Sequence, residues 1–229
     1  MPPESVLLVA HGSRDPRAAA TTRALARTVA AVRPGLDVRV AFLEQATPQP
    51  AEVLAAMPAG TVVVPLLLTN AFHGTVDLPN QVAGFDCVVT DTLGAPTDTL
   101  LSALSHRLPR KAFDALVLAA AGTRVVSARA EVERVAAALS ERHGVPCAVA
   151  YAAGATPSGA SAVSALQAAG ACRIVVASYF LAPGRLYDLV TASALSAGAI
   201  GAAAPLGASW QLAQLILDRI DSRLLALAA

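Results

Sequence analysis

Two histidines follow apolar runs that have the length of buried strands. His11 ends the apolar run of "SVLLVAHGSRDP", which begins at Ser5, and His73 lies in "VVVPLLLTNAFHGTVDLP". Runs of this kind are typical of strands that are covered on both faces, as in a parallel sheet. In a doubly wound sheet the first and third strands are neighbours, and their carboxyl ends flank a ligand-binding crevice. The pattern therefore predicts that His11 and His73 face each other at this edge.

Such a pair has a defined chemistry. Two neutral imidazoles in an open cleft are suited to holding a divalent transition metal ion with free coordination positions. They also provide proton acceptors near neutral pH. Glu44, at the end of the second predicted strand, is a candidate auxiliary base or metal-side carboxylate, and a solvated surface glutamate is the alternative interpretation.

The elements that must position these residues follow an alternating pattern. Apolar runs of strand length alternate with helical stretches, which predicts an α/β fold with parallel sheets and crossover helices. Asp15 followed by Pro16, and Thr47 followed by Pro48, are predicted to begin the first two helices. In the first half, strands are predicted near residues 5–10, 38–44, 61–68 and 86–92.

The chain contains an internal repeat. The segments "LLVAHGSRDPRAAATTRALARTVAAV" from Leu7 and "VLAAAGTRVVSARAEVERVAAALSE" from Val117 share a strand, a Gly-Ser/Thr-Arg turn and a helix. A period of about 110 residues is too long for a solenoid and indicates duplication of a whole domain. We expect two similar doubly wound domains, residues 1–109 and 114–229, joined by a short linker that contains Lys111.

Comparison of the two halves isolates the histidines. His11 aligns with Ala121, and His73 aligns approximately with Arg185, while the surrounding strand and turn patterns persist. Because both histidines are absent together from the second copy, we infer a paired function that only the first copy retains.

Composition excludes several classes of protein. The net charge of +1 excludes the basic surface of a nucleic-acid binder, and all but one of the 17 basic residues are arginine, which suits carboxylate ligands.

The uncharged stretch from Leu189 to Leu217 is divided by glycine, serine and proline. It therefore predicts a helix end, a short strand and a new helix rather than a membrane span. No basic region precedes the first apolar run, so we expect a cytoplasmic protein without a membrane partner.

Three motifs resemble those of a known family. They are "LLVAHGSRDP", "FLE" at 42–44 and "VVVPLLLTNAFHGTVDLP". They are similar to those of the class II chelatases, the CbiX-like sirohydrochlorin cobaltochelatase and ferrochelatase family, and the resemblance covers nearly the whole chain as two tandem copies. It implies insertion of Co²⁺ or Fe²⁺, with Ni²⁺ as a further candidate, into sirohydrochlorin or a related anionic tetrapyrrole in siroheme or cobalamin biosynthesis.

The resemblance also implies roles for individual residues. His11 and His73 would bind the incoming metal and assist deprotonation of the macrocycle, and no tightly bound cofactor is expected besides the metal substrate. The carboxylates of such a substrate need hydrogen-bond donors. The candidates are Ser13, Arg14, Arg124 and Arg185. We expect a monomer in which the second repeat forms the opposite wall of the cleft.

Two other functions remain open at this point. The motif "VAHGS" is superficially similar to that of histidine phosphatases, whose histidine lies in an Arg-His-Gly context, but Ala10 stands in place of that arginine, so the phosphate clamp is missing. A tetrapyrrole or metal carrier would bind the same ligands without inserting the metal. Multiple turnover distinguishes a chelatase from a carrier.

Overall fold

A computed structural model describes residues 5–69 and 77–228 of the chain. Within these ranges the chain forms eight β-strands and eight α-helices, which group into two compact units. His73 lies outside the described residues. Its predicted position opposite His11 therefore stays a prediction.

The first unit comprises Met1–Leu93 and Gly207–Ala229. Its four strands form one parallel sheet in the order β2-β1-β3-β4. The strands are β1 (Ser5–Ala10), β2 (Asp37–Phe42), β3 (Thr61–Leu66) and β4 (Cys87–Val89). The helices are α1 (Pro16–Val32), α2 (Pro50–Leu54), α3 (Leu78–Val82) and, from the end of the chain, α8 (Trp210–Ala228).

The second unit comprises Gly94–Leu206 and repeats this topology. Its parallel sheet has the order β6-β5-β7-β8, which confirms the predicted fold of two similar doubly wound α/β domains. The strands are β5 (Ala115–Ala120), β6 (Cys147–Tyr151), β7 (Ile174–Tyr179) and β8 (Gly201–Ala202). The helices are α4 (Asp98–Arg107), α5 (Val126–His143), α6 (Gly159–Ala168) and α7 (Arg185–Ser196).

The central strands are buried because helices cover both faces of each sheet. Every residue of β3 is buried, as is every residue of β1 except Ala10 at its end. The edge strand β2 instead begins at the exposed Asp37. Apolar residues from β1, β2 and β3 form one core with the short helices α2 and α3. This rigid centre fixes the points at which β1 and β2 leave the sheet.

The compact units divide the chain differently from the repeat, because each unit takes the final helix of the other repeat. Helix α8 packs on α1 and β3, where Arg33 binds Asp221 through two hydrogen bonds of 2.8 and 2.6 Å. Conversely, α4 packs on β7 and α5, and the Arg107 guanidinium donates to the carbonyl of Leu206 at 2.7 Å. The linker near Lys111 separates the two repeats in sequence. In the folded structure, however, α4 of the first repeat belongs to the second unit, and α8 of the second repeat belongs to the first unit.

Two of the sequence-based element predictions are confirmed. Helix α1 begins as predicted, with the Asp15 carboxylate accepting from the Arg17 N–H. The uncharged stretch 189–217 contains the end of α7, strand β8 and the start of α8. Across the described ranges, the helices are all too short or too polar to cross a membrane.

The predicted start of the second helix is wrong. Helix α2 begins at Pro50 rather than at Pro48, and its N-cap is Gln49 rather than Thr47. A capping box explains the difference, because the Glu52 carboxylate accepts from the Gln49 N–H at 2.9 Å. Pro at the first helical position is thus present, but one Pro further along the chain than predicted.

Because α8 belongs to the first unit, we expect that removing a buried side chain from α8 destabilises that unit. Ile216 is fully buried, so Ile216→Ala should lower the free energy of unfolding by about 2–5 kcal/mol, measured by urea denaturation. Hydrogen exchange should accelerate first in β1 and β3 and not in β5 and β7. Leu225→Ala, at a 72% exposed position of the same helix, is the matched control and should be nearly neutral. Equal losses of protection in both sheets would contradict this assignment of α8.

Candidate functional site

The candidate site lies where β1 and β2 leave the first sheet. Parallel pairing continues beyond the strand ends, because the Leu43 N–H donates to the Ala10 carbonyl at 2.9 Å and the Glu44 N–H donates to the His11 carbonyl at 3.0 Å. These two hydrogen bonds bring His11 and Glu44 side by side at the carboxyl edge of the sheet. In open α/β sheets this edge is where ligands bind.

Gly12 makes this close approach sterically feasible. Its φ of +95° lies in the left-handed region, and a Cβ atom at this position would lie 1.7 Å from the carbonyl oxygen of Glu44. Any side chain at residue 12 would therefore push the two loops apart. The glycine in "AHGS" is required by the backbone contact that places the histidine next to the glutamate.

The two side chains form an imidazole–carboxylate pair. The Nε2 atom of His11 lies 3.5 Å from Oε1 of Glu44, and their side chains are 39% and 47% exposed. Nδ1 of His11 lies 3.0 Å from the Gly12 carbonyl oxygen. Because a carbonyl can only accept, the tautomer of His11 that makes this hydrogen bond carries its proton on Nδ1. An imidazole nitrogen and a carboxylate oxygen are both groups that can bind a divalent metal ion.

Gln45 is a member of the site that the sequence did not reveal. Its side-chain amide donates to Oε1 of Glu44 at 2.9 Å, and its backbone has a φ of +58°. The sequence signal that could have identified the position is its counterpart in the second repeat, Gly154, which has a φ of +69°. A glycine aligned with a glutamine indicates a left-handed backbone at residue 45.

The second unit repeats the scaffold without the pair. Its Ala152 and Ala153 N–H groups donate to the carbonyls of Ala120 and Ala121 at 3.0 and 3.1 Å. A Cβ at Gly122 would lie 1.9 Å from the Ala153 carbonyl oxygen, as at Gly12 in the first unit. Ala121 and Ala153 thus occupy the places of His11 and Glu44. The backbone geometry is needed in both units, whereas the imidazole and the carboxylate are present in only one.

The start of α1 places two of the predicted substrate-binding residues near His11. The Ser13 hydroxyl accepts from the Asp15 N–H at 3.0 Å, so it also stabilises the turn into the helix. A hydrogen bond from Arg17 holds the pKa of Asp15 below its ordinary value, so this N-cap remains an anion. Arg14 is exposed. The roles of Ser13 and Arg14 in substrate binding stay predictions.

The other two predicted residues lie at the carboxyl edge of the second sheet. Arg124 follows β5, Arg185 begins α7 after β7, and both side chains are exposed. Exposed large apolar side chains also occur in the segments that follow β5 and β7. They are Val125, Val126, Leu186 and Leu189.

The described residues contain no group of three or more His, Cys, Asp or Glu side chains that could together hold a metal ion. Within this part of the chain, His11 and Glu44 form a pair without a third such side chain. The second predicted histidine, His73, belongs to the segment that follows β3, the direct neighbour of β1 in the sheet.

The fold and the site together define a class of protein. Two α/β units, each with a parallel sheet, repeat one scaffold, and an imidazole–carboxylate pair lies at the carboxyl edge of the first sheet. The CbiX family matches the chain twice, over residues 5–111 and 115–223. The chain therefore belongs to the CbiX family, and the predicted tandem repeat is confirmed.

Solved structures show the same fold. SirB from Bacillus subtilis with Fe³⁺ is 20% identical, with 96% of this chain and 95% of that chain covered and a TM-score of 0.80. The cobalt complex of the sirohydrochlorin chelatase SirB from Bacillus subtilis subspecies spizizenii is 19% identical, with the same coverage and TM-score. A CbiX structure described as the terminal enzyme for siroheme biosynthesis in denitrifying bacteria is 22% identical, with 95% and 98% covered and a TM-score of 0.68. The search of curated proteins finds no match.

The contact at Gly12 predicts a difference between two glycine substitutions. Gly12→Ala and Gly35→Ala both place a Cβ on a left-handed backbone, at φ of +95° and +89°, but a Cβ at Gly35 meets no atom within 4 Å. Gly35→Ala should therefore cost about 1 kcal/mol in urea unfolding, and Gly12→Ala distinctly more. In Gly12→Ala the Glu44 amide should also lose protection from hydrogen exchange. Equal effects of the two variants would show that the loop contact is unimportant.

Proposed function

We propose that this protein is a chelatase that inserts a divalent metal ion, Co²⁺ or Fe²⁺, into sirohydrochlorin or a related anionic tetrapyrrole. One observation carries the proposal: His11 Nε2 and Glu44 Oε1 lie 3.5 Å apart at the ligand-binding edge of the first sheet. The same scaffold in the second unit has alanine at both positions. The names of the similar structures, a sirohydrochlorin chelatase with cobalt and SirB with Fe³⁺, point to the same substrates.

The separation of the two atoms suits one metal ion. An ion about 2.1 Å from both Nε2 of His11 and Oε1 of Glu44 would have an N–metal–O angle of about 110°, close to tetrahedral. Imidazole and carboxylate together suit first-row divalent ions. We propose that His73 supplies a further ligand. Few protein ligands leave open positions on the ion, which permits its transfer to the macrocycle nitrogens.

Metal insertion also requires that two pyrrole protons leave the ring. When the ion moves from His11 to the macrocycle, the vacated Nε2 lone pair can accept one of these protons. The Nδ1–H bond to the Gly12 carbonyl and the adjacent Glu44 carboxylate stabilise the imidazolium that results. His73, Glu44 or solvent accepts the second proton. The same pair of residues thus holds the metal before the reaction and a proton after it.

Four residues are proposed to bind the carboxylates of the substrate. We propose that Arg124 and Arg185 bind carboxylates of the tetrapyrrole, with Ser13 and Arg14 as further donors from the first unit. The exposed apolar residues Val126 and Leu186, at 69% and 41% exposure, suit the faces of the macrocycle. A monomer that contains both repeats is the proposed active form, and siroheme or cobalamin biosynthesis is the proposed pathway.

Substitution of the proposed metal-site residues is expected to lower the insertion activity sharply. His11→Ala should lower kcat/KM for Co²⁺ insertion by about 100-fold or more, because it removes both a metal ligand and a proton acceptor. Glu44→Ala should lower it by about tenfold. The measurement is an anaerobic absorbance assay with sirohydrochlorin, corrected for the spontaneous rate. His106→Ala is the matched control, because His106 is exposed on α4, and it should leave the rate unchanged.

The same assay separates the alternatives. Multiple turnovers by the native protein, abolished in His11→Ala, are expected of a chelatase. A spectral change that stops at one equivalent would identify a carrier and contradict the proposal. Native rates in both His11→Ala and Glu44→Ala would remove the proposed metal site.

Substrate binding by Arg185 predicts a change in one kinetic constant only. Arg185→Ala should raise the KM for the tetrapyrrole about fivefold, while kcat and the KM for Co²⁺ stay at native values, because an exposed charge pair contributes to binding and not to the reacting centre. Arg134→Ala, which removes an exposed arginine from α5, is the control. An unchanged tetrapyrrole KM in Arg185→Ala would exclude the proposed contact.

A further inference from the structure

Gln45 has a backbone conformation that its side chain disfavours. Within residues 5–69 and 77–228 it is the one non-glycine residue with a positive φ, at +58°. Side chains other than glycine rarely adopt this conformation, because the Cβ crowds the neighbouring carbonyl. When such a conformation occurs beside a candidate site, it points to a function for the side chain.

The second repeat shows what the backbone alone requires. Phe42 pairs with Ala10 at the end of β1, and Tyr151 pairs with Ala120 at the end of β5, so Gln45 and Gly154 are equivalent. Gly154 adopts the same conformation, with a φ of +69°. Glycine therefore satisfies this turn, and the turn itself does not explain the glutamine.

The glutamine side chain contacts the candidate metal-site carboxylate. Its Nε2 donates to Oε1 of Glu44 at 2.9 Å, and this same oxygen lies 3.5 Å from Nε2 of His11. Glu44 is a half-exposed side chain on a loop, so without a partner it would sample several rotamers. The amide donor restricts Oε1 to the position that faces the imidazole, and the second lone pair of this oxygen remains available to a cation.

The donor and the carboxylate are also lost together. In the second repeat the carboxylate is replaced by Ala153 and the next residue is Gly154, so the unfavourable side chain is absent where there is no carboxylate to hold. In the first repeat both are present. This correlation between two adjacent positions links the glutamine to Glu44 rather than to the fold.

We propose that Gln45 is a positioning residue, which holds the Glu44 carboxylate against His11 so that the two side chains bind the incoming metal ion together. This proposal rests on the proposed metal-inserting function. Hydrogen-bond partners of metal ligands commonly determine affinity, because they orient the ligand before the metal arrives.

Two substitutions distinguish the effect of the Gln45 side-chain amide from the effect of its left-handed backbone. Gln45→Met keeps a side chain of similar length on the left-handed backbone but removes the donor, whereas Gln45→Gly removes the donor and relieves the backbone. Both variants should weaken Co²⁺ binding to the metal-free protein about tenfold, measured by anaerobic isothermal titration calorimetry. In the insertion assay both should raise the KM for Co²⁺ and leave the KM for the tetrapyrrole unchanged. Urea unfolding should show Gln45→Gly to be at least as stable as the native protein.

A double-mutant cycle tests whether Gln45 acts through Glu44. In a Glu44→Ala background, Gln45→Met should cause no further loss of Co²⁺ affinity, because there is no carboxylate left to position. Native Co²⁺ affinity in Gln45→Met, or an equal loss in both backgrounds, would overturn the proposal while leaving the metal site intact. Native Co²⁺ affinity in Glu44→Ala alone would instead contradict the metal site itself, and the role of Gln45 with it.

Discussion

The site depends on two backbone hydrogen bonds that extend the parallel pairing of β1 and β2 beyond the ends of the strands. They join Leu43 to Ala10 and Glu44 to His11, and they form only because Gly12 lets one loop approach the other closely. A buried, rigid sheet holds the origins of both loops. Main-chain geometry therefore brings the half-exposed His11 and Glu44 side by side, and the hydrogen bond from the Gln45 side chain then fixes the carboxylate. Such preorganisation reduces the conformational entropy that the side chains lose when a ligand binds.

The duplicated unit separates the requirements of the fold from those of the chemistry. Gly122, with the N–H groups of Ala152 and Ala153, reproduces the loop contact, so this contact belongs to the fold that the two units share. The imidazole, the carboxylate and its amide donor are replaced by alanine, alanine and glycine. Of the two units, only the first has an imidazole and a carboxylate at these positions, and the second unit carries exposed arginines and apolar side chains at the same edge of its sheet. One chain thus contains two versions of one scaffold with different surface chemistry.

Much of this organisation could be predicted from the sequence, because buried parallel strands leave a strong apolar signal and the repeat is visible as alternating patterns. The strand positions, the α1 cap at Asp15 and the placement of Glu44 at the end of the second strand follow from such local signals. The start of α2 could not be predicted from Thr47 and Pro48, because two Pro-containing caps compete and the Gln49–Glu52 capping box determines the outcome. The exchange of α4 and α8 depends on tertiary packing, which no periodicity within a helix encodes. The contact of Gln45 with Glu44 could not be predicted from the sequence, because it depends on a backbone angle and a single hydrogen bond.

In the proposed mechanism the edge of the first sheet, and not that of the second, binds the metal substrate. Anomalous X-ray diffraction from crystals soaked anaerobically with Co²⁺ tests it most directly. We expect a cobalt peak within about 2.3 Å of His11 Nε2 and of a Glu44 carboxylate oxygen, and no peak beside Ala121 and Ala153. Cobalt bound elsewhere, with the His11 imidazole and the Glu44 carboxylate free of metal, would contradict the proposed site.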